Sequence, residues 1–171
     1  MRLTKNEEQK TQNAGFTIVE FLVYLGLLTI FLVILSDIFV SVVELKLGTE
    51  SISSVEQNER FVTSRFIYDI HRASSITTPA TLGATSSSLV LVIGGVTNTY
   101  QLNGTDLELT NNFGTFKLND SEVKISNPIF RRIGNSGGKP TIKVNFTVTS
   151  RAERPGVGFE VRVASTTTGL R

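Results

Sequence analysis

Glu20 has the most unusual chemical setting in this sequence, because its carboxylate lies near the start of a long apolar run. Residues 21–35 carry no charge, and the wider range 16–43 contains only two acids, Glu20 and Asp37. About 20 helical residues cross the ~30 Å hydrocarbon core of a bilayer, so this range can span a membrane. A carboxylate at the centre of a spanning helix costs about 2.5–3.5 kcal/mol, and somewhat less near an end. An acid here therefore indicates a functional group that needs a partner.

The rest of the sequence has few residues suited to catalysis or metal binding. The chain has no Cys, which excludes disulfides, thiolate zinc sites, iron–sulfur ligation and Cys nucleophiles. It has a single His, His71, which excludes a multi-histidine metal site within one chain. His71 lies between Ile70 and Arg72 on a predicted amphipathic helix and is interpreted as a boundary or surface histidine. We expect no enzyme activity, no cofactor and no metal site.

Two further patterns have both a binding and a structural interpretation. Four acids could supply oxygen ligands for Ca²⁺, but they lack the spacing of an EF-hand loop, and a solvated face is favoured: Asp106, Glu108, Asp120 and Glu122. Residues 134–140, GNSGGKP, resemble a phosphate-binding loop only superficially. Ile133 stands where such a loop needs its first Gly, and Pro140 stands where it needs a hydroxyl. We therefore predict a flexible hairpin loop there.

One long helix is predicted to carry Glu20. It runs from Phe16 to about Ala73, with an apolar part at 16–43 and an amphipathic continuation at 44–73. Apolar side chains recur at helical spacing in the second part: Ile52, Val55, Val62, Phe66, Ile70 and Ala73. Glu59 falls inside this stripe and Phe61 outside it. The pattern predicts that the first part lies in apolar surroundings and that the second part lies against a domain.

The remainder reads as a β domain. Residues 74–88 are rich in Ser and Thr and are predicted to form a loop, and short β-type runs separated by turn signals fill 89–171. In the clearest of these runs, apolar and polar residues alternate. This predicts that one side of the strand carries Ile142, Val144, Phe146 and Val148. The last run is predicted to point Phe159, Val161 and Val163 inward. The expected fold class is α+β, with a long N-terminal helix packed on one antiparallel meander.

Residues 14–20, AGFTIVE, stand directly before the apolar run and resemble the type III signal of type IV pilins and type II secretion pseudopilins. The resemblance implies a pilin-like fold and a leader peptide, residues 1–15, that prepilin peptidase removes by cutting after Gly15. It implies N-methylation of the new N-terminal residue, Phe16. It makes Glu20 the fifth mature residue and the assembly glutamate, which pairs with the α-amine of a neighbouring subunit. It also implies a single-pass protein of the cytoplasmic (inner) membrane with an extracytoplasmic C-terminal domain.

A second resemblance is to minor pseudopilins of the J type. It rests on the stretch from Glu59-Arg60-Phe61 to Tyr68-Asp69, on the Ser/Thr-rich loop and on the run Ser88–Leu91. It implies a minor pseudopilin or minor pilin, a structural subunit of a type II secretion or type IV pilus-like filament whose partners are other pilin or pseudopilin subunits. The alternative is a DNA-binding minor pilin of a competence or DNA-uptake system, and an outside alternative is a plain single-span membrane protein with an extracytoplasmic β domain.

Charge is divided unevenly along the chain. Residues 123–171 contain nine basic and two acidic residues, a formal charge of +7, whereas residues 16–122 contain five basic and eleven acidic residues, a charge of −6. The two halves could offset each other within one domain, or form complementary contacts between subunits. A third interpretation is a basic surface for DNA, as in a DNA-binding minor pilin of a competence or DNA-uptake system.

Overall fold

The computed structural model describes residues 15–171, and in this range one long helix precedes nine β-strands. The helix, α1, runs Ile18–Arg72, within two residues of the predicted bounds at each end. The strands are β1 Ser75–Thr78, β2 Thr85–Ser86, β3 Leu89–Ile93, β4 Val96–Asn103, β5 Asp106–Asn111, β6 Gly114–Lys117, β7 Val123–Ile133, β8 Thr141–Arg154 and β9 Gly158–Gly169. Every strand pairing is antiparallel, so the predicted α+β class with a long N-terminal helix is confirmed.

The chain divides into two compact units, Met1–Val42 and Val43–Arg171, and α1 contributes to both. The described part of the first unit is residues 15–42. Its helix is apolar on every side, with a mean hydropathy of 2.7 in its most apolar window and no residue of that window buried. This helix is long and apolar enough to cross a membrane.

In the second unit, the end of α1 buries one stripe of side chains. The buried positions recur every three or four residues, as expected for one face of a helix: Ser51, Val55, Asn58, Val62, Phe66, Asp69 and Ile70. The predicted stripe is therefore confirmed at Val55, Val62, Phe66 and Ile70. Two polar residues, Asn58 and Asp69, also belong to it.

Two antiparallel sheets share the core of this unit, where the sequence predicted one meander. Sheet A has the order β1-β3-β4-β5-β6, and sheet B has the order β2-β7-β8-β9. The ring of Phe66 joins them, because its centroid lies 5.2 Å from that of Tyr100 on β4 and 5.4 Å from that of Phe130 on β7. The chain leaves sheet A after β6, whose four residues are all exposed, and β7 pairs with β8 instead.

The segment 74–88 is not the featureless loop that was predicted. Ser75–Thr78 pairs with β3, and Thr85–Ser86 pairs with Arg131 and Phe130 on β7. Ile76 is buried in the core. Ser and Thr dominate the segment, but each of its two short strands pairs with one neighbouring strand, and this tertiary pairing overrides local turn propensity.

Strand β7 continues through Pro128. The register shifts between Ser126 and Ile129, and Asn127 has a φ of 50°. This is a bulge, which takes residues out of the hydrogen-bond ladder and therefore tolerates a proline without an N–H.

The predicted orientation of β9 is wrong. Phe159, Val161 and Val163 are exposed, at 47%, 53% and 73%. The register with β8 places Val161 opposite Thr149 and Val163 opposite Thr147. Both threonines alternate with the buried residues of β8 and therefore lie on the solvent side of the sheet. Residues directly opposite each other point to the same face of a sheet, so the pairing with β8 turns these side chains to solvent. On β8 itself the prediction is confirmed, since Ile142, Val144, Phe146 and Val148 are buried.

Candidate functional site

Two predicted site residues, Phe16 and Glu20, lie at the start of α1. The hydroxyl Oγ1 of Thr17 accepts a hydrogen bond from the backbone N–H of Glu20 at 3.3 Å, so Thr17 caps the helix. Thr-Ile-Val-Glu has the spacing of a capping box. Glu20 lies in the first turn, where the helix dipole favours a negative charge. Phe16, the residue before Thr17, is 73% exposed.

Tyr24 contacts both of these predicted site residues and was missed by the sequence analysis. Its hydroxyl donates a hydrogen bond to Oε1 of Glu20 at 3.1 Å. Its ring centroid lies 5.8 Å from that of Phe16. The available signal was spacing, since residues four apart on a helix are neighbours. The contact orients the Glu20 carboxylate and occupies one of its two oxygens.

Gly15 is the first residue that the structure describes, so the predicted leader, residues 1–15, otherwise lies outside the described residues. A Cβ added at Gly15 would meet no atom within 4 Å. The fold therefore leaves room for a side chain at this position.

The hydroxyls of the apolar helix bond within the helix itself. Thr29, Ser36 and Ser41 donate to the carbonyls of the residues four earlier at 2.8–2.9 Å. Such bonds satisfy polar groups without water or a partner. The segment is therefore suited to apolar surroundings, where each unsatisfied polar group costs several kcal/mol.

A buried charge cluster joins α1 to sheet A. Asp69 is 3% exposed and accepts hydrogen bonds from Nε of Arg65, at 2.6 Å, and from the hydroxyl of Tyr100. Burial and the hydrogen bond to Asp69 raise the pKa of Tyr100. Burial alone would lower the pKa of Arg65, but the charge and hydrogen bond of Asp69 outweigh it and raise that pKa. These groups anchor the helix to strand β4.

The four acids considered for Ca²⁺ do not converge. Asp106 forms ion pairs with Lys117, at 3.1 Å, and with Arg151, at 3.3 Å. Desolvation works to raise the pKa of Asp106, but hydrogen bonds from Lys117 and Asn119 and the two positive charges lower it. Asp120 accepts a hydrogen bond from the N–H of Ser121. Within residues 15–171, no group of three or more His, Cys, Asp or Glu side chains could hold a metal ion.

The other two candidates have structural positions. His71 is partly exposed in the last turn of α1. Residues 134–140 connect β7 to β8, as the hairpin interpretation predicted, and Gly134 and Gly137 there have φ values of 140° and 79°.

The charge division is only partly neutralised within the fold. Of the nine basic residues in 123–171, two form ion pairs with described acids of residues 16–122. These are Arg151 and Arg162. Arg162 lies 3.7 Å from Glu59, which explains the acid inside the apolar stripe. Internal compensation therefore accounts for a minor part of the +7 charge.

The chain was compared with protein-family models, with curated proteins and with solved structures, and none of the three comparisons finds a match. The likeness of residues 14–20 to a prepilin signal therefore stays a prediction.

Proposed function

We propose that the protein is a minor pseudopilin or minor pilin, a structural subunit of a type II secretion or type IV pilus-like filament. The observation that carries this proposal is the head of α1: a capped first turn with Glu20 in it, followed by a helix that is apolar on all sides and unburied. A membrane segment with an acid at its boundary is expected to use that acid for function. The antiparallel domain after the helix is compatible with a pilin-like layout.

In the proposed mechanism, prepilin peptidase cuts after Gly15 and creates an α-amine on Phe16. This amine is a cation at physiological pH, and N-methylation leaves it one. Glu20 of a neighbouring subunit pairs with it, so that neither charge is left unpaired in apolar surroundings, where an uncompensated charge is costly. Tyr24 supports the pairing because it holds one carboxylate oxygen at 3.1 Å and packs near Phe16.

The proposed topology follows from charge and hydropathy. The leader carries three basic and two acidic residues, and short basic segments favour the cytoplasmic side. The domain after the apolar helix would then lie outside the cytoplasmic membrane. The proposed partners are that membrane, prepilin peptidase and other pilin or pseudopilin subunits.

Processing can be tested by mass spectrometry of the membrane fraction from cells with and without prepilin peptidase. We expect the chain to begin at Phe16 and to carry one methyl group only when the peptidase is present. The control is Gly15→Val, which the fold accommodates because no atom lies within 4 Å of the added Cβ; we expect it to remain uncut. A wild-type chain that keeps Met1 beside an active peptidase would contradict the proposal and favour a plain single-span protein.

The role of Glu20 can be tested separately from cleavage. Glu20→Gln keeps an oxygen that can accept from Tyr24 but removes the charge, so we expect normal processing and loss of most filament incorporation. Asp37→Asn is the matched control, because it removes the other acid of the apolar segment without changing the helix start. Incorporation of Glu20→Gln at the wild-type level would refute the pairing role.

A further inference from the structure

The solvent-facing side of sheet B combines exposed apolar side chains with cations. We call this surface the outer face; the members that matter here are Lys124, Arg131, Lys143, Phe159, Val161 and Val163. The three apolar side chains follow one another along β9, which lies at the edge of sheet B. The outer face is therefore apolar along one edge and basic on the two strands beside it.

The cations of the outer face are not compensated by the fold. Arg131 and Lys143 lie directly opposite each other on β7 and β8, and like charges in this arrangement destabilise a sheet. Nζ of Lys124 lies 5.7 Å from the ring centroid of Phe159. None of these three cations forms an ion pair with another described residue. Glu153, opposite Phe159, is the acid at the end of this face, so positive charge is in surplus.

The same chain carries a helix that is long and apolar enough to cross a membrane. A chain anchored by this helix holds its domain beside a bilayer, and such a tether raises the effective concentration of the lipid surface. Anionic headgroups attract Lys and Arg, and the boundary between headgroups and acyl chains accepts apolar side chains. The anchor, the cations and the apolar edge therefore point to the same partner.

We propose that the outer face docks on the anionic lipid surface of the membrane that anchors the chain. Val161 and Val163 enter the headgroup region, and the opposed Arg131 and Lys143 bind lipid phosphates, which relieves their repulsion. Each copy docks by itself, so the contact suits a minor subunit and gives it a resting position before assembly. This inference rests on the membrane anchoring in the proposed function, but not on filament assembly.

Two other occupants fit the outer face less well. A DNA backbone would be attracted by the cations, but it presents little apolar surface to the exposed Val161 and Val163. A second copy would have to offer negative charge. The open groove beside α1 has no surplus of it, because its lining includes two cations and two acids: Lys46, Arg151, Glu50 and Glu122.

The full chain in lipid nanodiscs provides the test. The sequence has no Cys, so one introduced Cys can carry a fluorophore, and nitroxide-labelled lipids quench a fluorophore that contacts them. The test position is Val163→Cys; the matched control is Thr97→Cys, at an exposed position on β4 of sheet A. We expect strong quenching at residue 163 when phosphatidylglycerol is present, and weak quenching there in phosphatidylcholine alone. Quenching at residue 97 should be weak in both.

Charge reversal tests the role of the cations. We expect K124E/K143E to lower the ratio of docked to free domain at least about twentyfold, because each basic residue near an anionic surface contributes about fivefold. The control variant K124R/K143R keeps both charges and should dock like the wild type. Both side chains are at least partly exposed, so the substitutions do not disturb the core.

Several results would overturn the inference. They are equal quenching at residue 163 with and without phosphatidylglycerol, equal quenching at residues 163 and 97, and unchanged docking of K124E/K143E. Retention of double-stranded DNA by the wild type but not by K124E/K143E, without quenching at residue 163, would also overturn it, because the cations would then serve a nucleic acid.

A third label separates this inference from the proposed function. Phe31→Cys reports on the apolar helix itself, and we expect its fluorophore to be quenched in both lipid mixtures. If residue 31 is quenched and residue 163 is not, docking fails and the proposed anchoring stands. If neither is quenched, the anchoring fails and the inference falls with it. If residue 163 is quenched but the chain is never cut after Gly15, docking stands and the proposed function fails.

Discussion

The two parts of α1 differ in where their apolar side chains go. In residues 18–42 they point outward all round, and Phe31, for example, is 57% exposed. In residues 43–72 the apolar stripe is buried, and Phe66 is 1% exposed at the centre of an aromatic cluster. The apolar side chains of the second part are therefore buried by its own domain. Those of the first part need apolar surroundings from another source.

Polar groups show the same difference. Thr29 in the first part bonds to its own helix, at the carbonyl of Leu25. In the second part, Oδ1 of Asn58 accepts from the N–H of Asp120, which lies 62 residues later in the chain. The hydroxyls of the first part bond within their own helix, as suits a membrane helix, whereas Asn58 in the second part also depends on tertiary structure.

Truncating one Phe in each part tests this comparison most strongly. We expect Phe66→Ala to lower the free energy of unfolding of the domain by about 3–5 kcal/mol, because it leaves a cavity among Tyr100, Phe130 and Phe146. Phe31→Ala should leave it unchanged. Hydrogen exchange of the β8 amides in the detergent-solubilised chain measures both. Equal effects would show that the two parts share one core.

Tyr100→Phe sharpens the comparison by removing a polar anchor of the second part. We expect a loss of about 1–3 kcal/mol, because Asp69 stays buried with one hydrogen-bond donor fewer. The raised pKa of Tyr100 means that its contribution is fully present below its usual pKa of 10.0 and is lost as the pH rises above it.

Urea unfolding of this variant between neutral and alkaline pH checks both effects. Stability of the wild type should fall above about pH 10, and Tyr100→Phe should remove most of that fall. Tyr68→Phe, at a 54% exposed position, is the control and should keep the alkaline dependence. If the stability of Tyr100→Phe falls at alkaline pH as much as that of the wild type, this account is contradicted.

Asp106→Asn is expected to have the smallest effect, under about 1 kcal/mol, since its ion pairs with Lys117 and Arg151 are partly exposed. The lowered pKa of Asp106 means that its contribution is present above its usual pKa of 3.8 and is lost as the pH falls below it. Acid unfolding should therefore be less steep in the variant. Glu108→Gln on the same strand should behave like the wild type.

Much of the local structure was predictable from short windows of sequence. Apolar residues recur with a period of about four in α1 and of two in β8. These periods are visible in the sequence and predict the bounds of α1 and the facing of β8. The pair Arg60 and Glu56, at 2.7 Å, was likewise visible from its spacing. The Tyr24 contact with Glu20 has the same i, i+4 separation, so attention to polar spacing would have found it.

The sequence alone determined the division into an apolar helix with Glu20 near its start, an amphipathic continuation and a β domain. It also determined the uneven distribution of charge along the chain. Tertiary structure decided the rest: two sheets rather than one, Asp69 paired with a Tyr 31 residues away, and the outward facing of β9. The physical reason is that a strand's facing depends on its register with a partner. Pairing with Thr149 and Thr147 puts Val161 and Val163 on the solvent side, although their alternation along the chain reads as buried.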